Sequence, residues 1–200
     1  SLNAAYGYDS NNIFIYGVGG RLLFWNGDKW HYREPNTIHD LFCMWGEDIN
    51  NIHAVGGEGT YRFHDGKQFQ RRDELTREEV SLYGVWGSAV DDVYIVGSHG
   101  TILHYDGNED KEWQLMESGT DEYLLGIWGS SSNDIFAVGD NAVILHYDGK
   151  SWISMDAGTE KYLTKVRGLR SDCIYAVGDD GLVIHFDGKK WNDMSLGGYA

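Results

Sequence analysis

The chain has 200 residues, 31 acidic against 16 basic, for a formal net charge of −15. That surplus of carboxylates disfavours nucleic acid or an anionic membrane surface as the main partner, and no apolar run of about 18 residues is present to span a bilayer. An apolar share of 42% with 27 Gly and one Pro suits one globular domain with a sizeable core and many tight turns.

The chain opens in phase with a repeat. In residues 2–40 the run LNAAYG is followed by a polar turn, the run IFIYG, a glycine turn, the run LLFW closed by Asn26-Gly27, and a last short run opened by Trp30. The order returns in residues 41–81, 82–123, 124–162 and 163–200. The second runs begin at Ile13, Ile52, Val93, Ile135 and Ile174, so the steps are 39, 41, 42 and 39 residues. The third runs end at Asn26-Gly27, Asp65-Gly66, Asp106-Gly107, Asp148-Gly149 and Asp187-Gly188, and the fourth open at Trp30, Phe69, Trp113, Trp152 and Trp191. Short apolar runs bounded by Gly, Asn, Asp and Ser read as antiparallel strands, and Asp-Gly as a hairpin turn. Four strands at a period of about 40 residues predict an all-β, five-bladed β-propeller, because one such sheet cannot bury its faces alone.

Some repeats depart from the pattern. Blade two ends in QRRDELTREEV, where Arg71, Arg72 and Arg77 interleave with Asp73, Glu74, Glu78 and Glu79; a self-paired, solvated helical turn is expected there. Blade three has a polar excursion at residues 108–111, and blade five replaces the Trp-Gly of its first strand with Arg167-Gly168. Cys43 and Cys173 occupy non-equivalent positions in non-adjacent blades, which argues against a disulfide. Each blade reads as one contiguous segment, so the ring is expected to close by side-chain packing of blade five on blade one; the alternative is five blades of a larger propeller. No signal peptide is visible, which suits a mature product or an excised domain.

WGSSSNDIFAVGDNAVILHYDGKSW resembles the WGSS-x-DV-x-AVG-x-x-G-x-ILHYDG-x-x-W repeats of bacterial, often secreted or lipid-anchored, propeller proteins. The likeness covers the whole chain and is best in blades three to five. It implies an extracellular or cell-surface location. HYDGKSW is also similar, more distantly, to the Asp-box of sialidase-type propellers, with Asp148 and Trp152 one residue closer than that box has them. That box is structural and implies no activity.

Chemistry-bearing residues sort by their place in the blade, where the 1–2 and 3–4 turns share one end and the 2–3 and 4–1 loops the other. His104, His146 and His185 recur just before the 3–4 turn. Three equivalent histidines invite a metal reading, but third strands lie far out on the ring, which argues against one shared ion. A hydrogen bond to the acid of the 1–2 turn is expected instead: Asp92, Asp134 and, one residue early, Asp172. Blades one and two have Phe24 and Phe63 with Asn12 and Asn51. Trp45, Trp86 and Trp128 are expected to pack between blades rather than stack sugars.

The 2–3 loops vary most. Their central column is Gly19, Glu58, His99, Asn141 and Asp180, preceded by Val18, Gly57, Ser98, Asp140 and Asp179. Variable loops on constant strands are the mark of a scaffold with a one-sided ligand surface, so Glu58, His99, Asp140, Asn141, Asp179 and Asp180 are the binding candidates; plain solvated turns are the other reading. Asp140, Asp179 and Asp180 offer oxygen ligands, but the dense acidic spacing of a calcium loop is absent, so no cofactor or metal is expected. Lys165 and Arg167 stand near the axis. They are candidates for an anion in the channel, or else Arg167 stacks on Tyr6 at the seam of blades five and one while Lys165 meets an acid.

A glycosidase on this scaffold needs carboxylates facing the axis. The inner strands LNAAYG, LFCMWG, LYGVWG, LLGIWG and LTKVRG contain none, and no nucleophile elbow, phosphate loop or zinc spacing is present. The sequence therefore reads as a non-catalytic, monomeric binding module that presents its 2–3 and 4–1 loops to a protein partner. A carbohydrate-binding lectin is the alternative and a glycoside hydrolase the third reading.

Overall fold

The computed structural model describes residues 1–72, 75, 80–107 and 113–195. Residue 77, most of the expected helical turn of blade two and the excursion at 108–111 lie outside them. The chain is all-β, with five sheets of four strands each, every sheet in chain order, as a five-bladed β-propeller requires. Blade one holds β1 (Leu2–Asp9), β2 (Asn12–Gly17), β3 (Leu22–Trp25) and β4 (Trp30–Tyr32). Blade two holds β5 (Leu41–Gly46), β6 (Ile52–Gly56), β7 (Tyr61–His64) and β8 (Phe69–Arg71). Blade three holds β9 (Leu82–Ala89), β10 (Asp92–Gly97), β11 (Ile102–Tyr105) and β12 (Gln114–Leu115). Blade four holds β13 (Leu124–Ser131), β14 (Asp134–Gly139), β15 (Ile144–Tyr147) and β16 (Trp152–Ser154). Blade five holds β17 (Leu163–Arg170), β18 (Cys173–Gly178), β19 (Val183–Phe186) and β20 (Trp191–Asp193).

The chain divides into two compact units, Ser1–Ile95 with His104–Gln114 and Val96–Leu103 with Leu115–Ala200. In the first, Phe14, Tyr16, Leu22 and Phe24 of blade one meet Leu41, Met44, Ile52, Ala54 and Phe69 of blade two in one buried cluster. In the second, Phe136, Val138 and Ile144 of blade four meet Leu163, Val166, Ile174, Ala176, Ile184 and Trp191 of blade five. Alternation along each strand thus sends one side-chain set to each face, and in these two clusters the facing sets of adjacent sheets pack on each other. A fully buried Phe contributes about 1.5–3 kcal/mol relative to an exposed one, so these aromatics between sheets are the main reason the blades stack.

The Trp-Gly dipeptide of the inner strands is part of that packing. The Trp45 ring lies on Gly87 and the Trp128 ring on Gly168, so close that a methyl on either glycine would come within 2.5 Å of it. Tyr6 achieves the same join by hydrogen bonding: its hydroxyl donates to the Gly46 carbonyl, and the Gly46 N–H donates back to it at 3.0 Å. Both cysteines are free thiols.

All five 3–4 hairpin glycines are left-handed, with φ between 77° and 90°. In each of three hairpins one Asp oxygen, on Asp65, Asp148 or Asp187, accepts two backbone N–H bonds from the turn. Asn26 does the same in blade one. Those N–H groups hold the carboxyls below the usual range, Asp65 at about 2, with Gln68 the largest contributor.

Candidate functional site

At the end of the blades bearing the 1–2 and 3–4 turns, the chemistry is structural. His104 Nε2 lies 2.7 Å from Asp92 Oδ1, and His146 Nε2 2.7 Å from Asp134 Oδ1. Each imidazole also stacks on the second-strand aromatic, Tyr94 at 4.1 Å and Phe136 at 4.4 Å between centroids. Burial alone would raise the Asp92 carboxyl, but hydrogen bonds from His104 and Ser88 outweigh it and hold it low. Blades one and two move the acid to the other side of the turn, where Asn12 donates to Asp9 and Asn51 to Asp48. In blade five the shift of one residue breaks the pair: Asp172 bonds Arg170, and His185 Nε2 is buried without a partner among the described residues.

The opposite end is where the loops vary. The central residues Gly19, Glu58, His99, Asn141 and Asp180 all have φ between 50° and 66°, and each is followed by a second left-handed residue: Gly20, Gly59, Gly100, Ala142 or Gly181. Two consecutive positive φ values define a type I′ turn, which is why these hairpins are so short. Glu58 and Ala142 occupy this conformation without the freedom of glycine or the tolerance of Asn, Asp and His.

Backbone bonds clamp the turns to the 4–1 connections. Gly57 donates to Asp40 O, Asp140 to Tyr123 O and Asp179 to Tyr162 O, at 2.9–3.1 Å. On the other flank Gly59 donates to Val80 O and Gly100 to Glu122 O, both at 2.8 Å. The tips are therefore fixed, outward-facing positions rather than loose loops.

Their electrostatics differ between the two units. In the second, Asp140 is raised by partial burial and by the charges of Glu122 and Asp179, while Asp180 meets Lys161 at 3.6 Å. His99 packs edge-on against Tyr123. Among the described residues no three His, Cys, Asp or Glu side chains are grouped to hold a metal. In the first unit a cavity of about 390 Å³ opens beside the blade one 4–1 loop, with Asn36, Arg62 and Arg71 among its lining residues. Arg62 was not among the sequence candidates. The signal was present, however: it stands in a column otherwise filled by Leu23, Leu103, Leu145 and Ile184.

The channel candidates turn toward blade four. Lys165 Nζ donates to Leu125 O at 3.4 Å and Arg167 Nη1 to Ile127 O at 3.0 Å. The expected acid partner of Lys165 is replaced by a carbonyl, and Arg167 reaches back along the chain rather than forward to a seam. The cause is topological: β13 is an edge strand, so carbonyls on its open side have no sheet partner. Tyr175 and Val177 of β18 are 43% and 40% exposed, whereas their counterparts Phe136 and Val138 are 1% and 0% exposed.

No family model matches the chain, and no curated protein sequence matches it. Among solved structures, it is similar to YCF48 bound to a D1 peptide, at a TM-score of 0.72 and 14% identity over 93% of this chain and 64% of that one. YCF48 from Cyanidioschyzon merolae gives 0.72 and 12%, over 95% and 68%. The β-propeller domain of Cps50 (Swd1) from Myceliophteria thermophila gives 0.75 and 11%, over 92% and 64%. The chain thus spans about two thirds of the length of the structures it matches. At these identities the likeness establishes the fold: the chain is a β-propeller repeat protein.

Proposed function

We propose that the chain is a non-catalytic module that binds a protein partner through the 2–3 and 4–1 loops of its blades. The observation that carries this reading is the strained tip. Glu58 holds left-handed backbone at a position where glycine would cost less, in a turn clamped on both flanks. Strain retained at exposed, fixed positions is what a recognition surface shows. The tips differ from blade to blade, which suits one asymmetric partner better than a glycan site repeated around the array. One similar structure holds a peptide, consistent with this mode. In this reading the partner is met outside the cell or at its surface, as the resemblance to bacterial repeats implies.

A photo-crosslinking side chain placed at His99, Asn141 or Asp180 should give discrete adducts with one protein in an extract of the source cells, identified by mass spectrometry. The same group at Asp148 or Asp187, in the 3–4 turns, should give none. Adducts from the 3–4 turns instead, or a glycan that abolishes the tip adducts, would overturn the protein-binding reading.

A further inference from the structure

We propose that the chain binds a second copy of itself head to tail, the trailing face of blade five packing on the leading face of the other copy's blade one. This departs from the monomer expected from the sequence. Neighbouring blades meet through one repeated join. Phe136, Val138 and Ile144 form the trailing side of blade four, and Leu163, Ile174 and Trp191 of blade five form the leading side that covers them. Blades one and two meet the same way, with Phe14, Tyr16 and Leu22 against Leu41, Ile52 and Phe69. Two halves of this join are left uncovered. On blade five the counterparts of Phe136, Val138 and Ile144 are Tyr175, Val177 and Val183, the first two exposed and the third half-buried. On blade one the counterparts of Leu163, Ile174 and Trp191 are Leu2, Ile13 and Trp30. Leu2 is 45% exposed where Leu41, Leu82, Leu124 and Leu163 are fully buried, and Trp30 is 44% exposed where Trp191 is 7% exposed. Each half lies within one compact unit.

The chain itself supplies the surface that matches the blade five face. Glycine marks the seat. Gly87 lies beneath the Trp45 ring and Gly168 beneath the Trp128 ring, but the atoms nearest a methyl on Gly7 belong to Asn12 and Ile13 of its own blade. Gly7 pairs with Ile13 as Gly168 does with Ile174, so it is the same seat without its ring. The blade five position that fills this seat elsewhere holds Arg167, whose flat guanidinium and apolar stem can cover a glycine as an indole does. A second copy, rather than closure within one chain, is favoured by the polarity of the blade five half. Arg167 replaces Trp128, Tyr175 replaces Phe136 and Lys165 replaces Gly126, and joins between separable chains are more polar than permanent ones. Charge agrees. β17 carries Lys165, Arg167 and Arg170 and no acid, whereas β1 carries Asp9 and no cation. A cationic strand is where a chain of net charge −15 meets its own copy with least repulsion. Because the two halves differ, the contact is heterologous, and each copy keeps one open half for the next.

The test is sedimentation velocity of the full chain over a wide range of concentration. The native chain should sediment faster as its concentration rises. A leading-face variant, Leu2→Glu with Trp30→Glu, and a trailing-face variant, Tyr175→Glu with Val177→Glu, should each stay monomeric. All four side chains are at least 40% exposed, so both variants should fold, which far-UV circular dichroism checks. Mixed in equal amounts, the two variants should form one species of twice the monomer mass and nothing larger, because each retains the half that the other has lost. Should either variant unfold, ¹⁵N NMR of the native chain decides: the amides of β1 and β18 should broaden together as concentration rises, and those of residues 148–151 should not. A native chain that is monomeric at every concentration overturns the proposal. A variant that still associates on its own points to pairing of like faces and equally overturns it, as does a mixture of the two variants that stays monomeric.

Discussion

Blades two and four solve the same packing problem with opposite placements of one imidazole. In blade four Phe136 lies in the core on β14, and His146 lies outside it on β15, stacked on the Phe and bonded to Asp134. In blade two the rings exchange places. His53 is on β6, 3% exposed, with Phe63 against it on β7. Its Nδ1 pairs with the Tyr61 hydroxyl at 2.9 Å, and its Nε2 is buried without a partner among the described residues. The lesson is that the repeat fixes ring positions and leaves polarity free, and polarity decides which blade is sensitive to acid.

The largest expected effect follows from His53. Burial pushes its imidazole down to about 4, with the Arg72 charge adding to the shift. Its folded pKa lies below the ordinary 6.5, so its stabilising contribution is complete above pH 6.5 and is lost as pH falls toward 4. A gap of that size corresponds to about 3 kcal/mol. Urea unfolding at pH 7, 5.5 and 4 should show that loss in the native chain and most of it gone in His53→Phe. The hairpin aspartates add a separate decline at lower pH, since Asp65 at about 2 loses its contribution between its ordinary range and that value. An unaltered acid slope in His53→Phe would move the sensitivity to another group.

The next effect probes blade four. The His146 and Asp134 positions should be coupled by about 0.5–3 kcal/mol in a double-mutant cycle through His146→Phe and Asp134→Asn. The geometry of blades one and two adds a refinement. There the Asn of the turn serves an acid three residues earlier, Asp9 or Asp48, where blade four has Ser131. Adding Ser131→Asp to the double variant should therefore recover more stability than the double variant alone. Additive losses throughout would discard the pairing.

The fold was legible because it rests on a period and on turn chemistry, both local properties. Asp148-Gly149 needs only its own backbone to make a hairpin, and five copies make five. The His–acid pairs were legible because two positions covary within one chain. Arg62 escaped because a charge in an apolar column reads as a surface residue until β8 places Arg71 opposite it. The Glu58 tip escaped for the reverse reason: Glu is a poor former of that left-handed conformation, and the clamps from Asp40 and Val80 impose it. The course of Arg167 depends on an open strand edge forty residues earlier, which no local pattern encodes.

A smaller effect should extend the blade four solution to blade five. Cys173 pairs in register with Arg170 as Asp134 does with Ser131, so Cys173→Asp puts a carboxylate at the repeat position. His185 Nε2, buried and unpartnered, then gains an acceptor. A new charged hydrogen bond on a half-exposed pair contributes about 0.5–1.5 kcal/mol. The variant should unfold at higher urea, and an NMR spectrum selective for histidine should show a hydrogen-bonded ring N–H at His185. Absence of both would mean that Arg170 captures the new carboxylate as it does Asp172.

The smallest effect separates strain from recognition at the tips of the two blades. Glu58 in blade two and Asn141 in blade four share one left-handed conformation, at φ 53° and 50°. An ordinary side chain there costs about 1–2 kcal/mol, from which glycine's extra entropy in the unfolded chain subtracts about 0.5–1. Glu58→Gly should thus stabilise by about 0.5 kcal/mol, and His99→Gly by less, since His adopts this conformation more readily than Glu. Asn141→Gly should be nearly neutral, because Asn tolerates this conformation. The Gly variants keep the backbone and delete only the outward side chain. If the tips are recognition elements, Glu58→Gly and His99→Gly will melt slightly higher and yet lose capture of the cross-linked partner. If they melt higher and capture it as well as the native chain does, the strain at these turns has no role in binding and the tips are turns only.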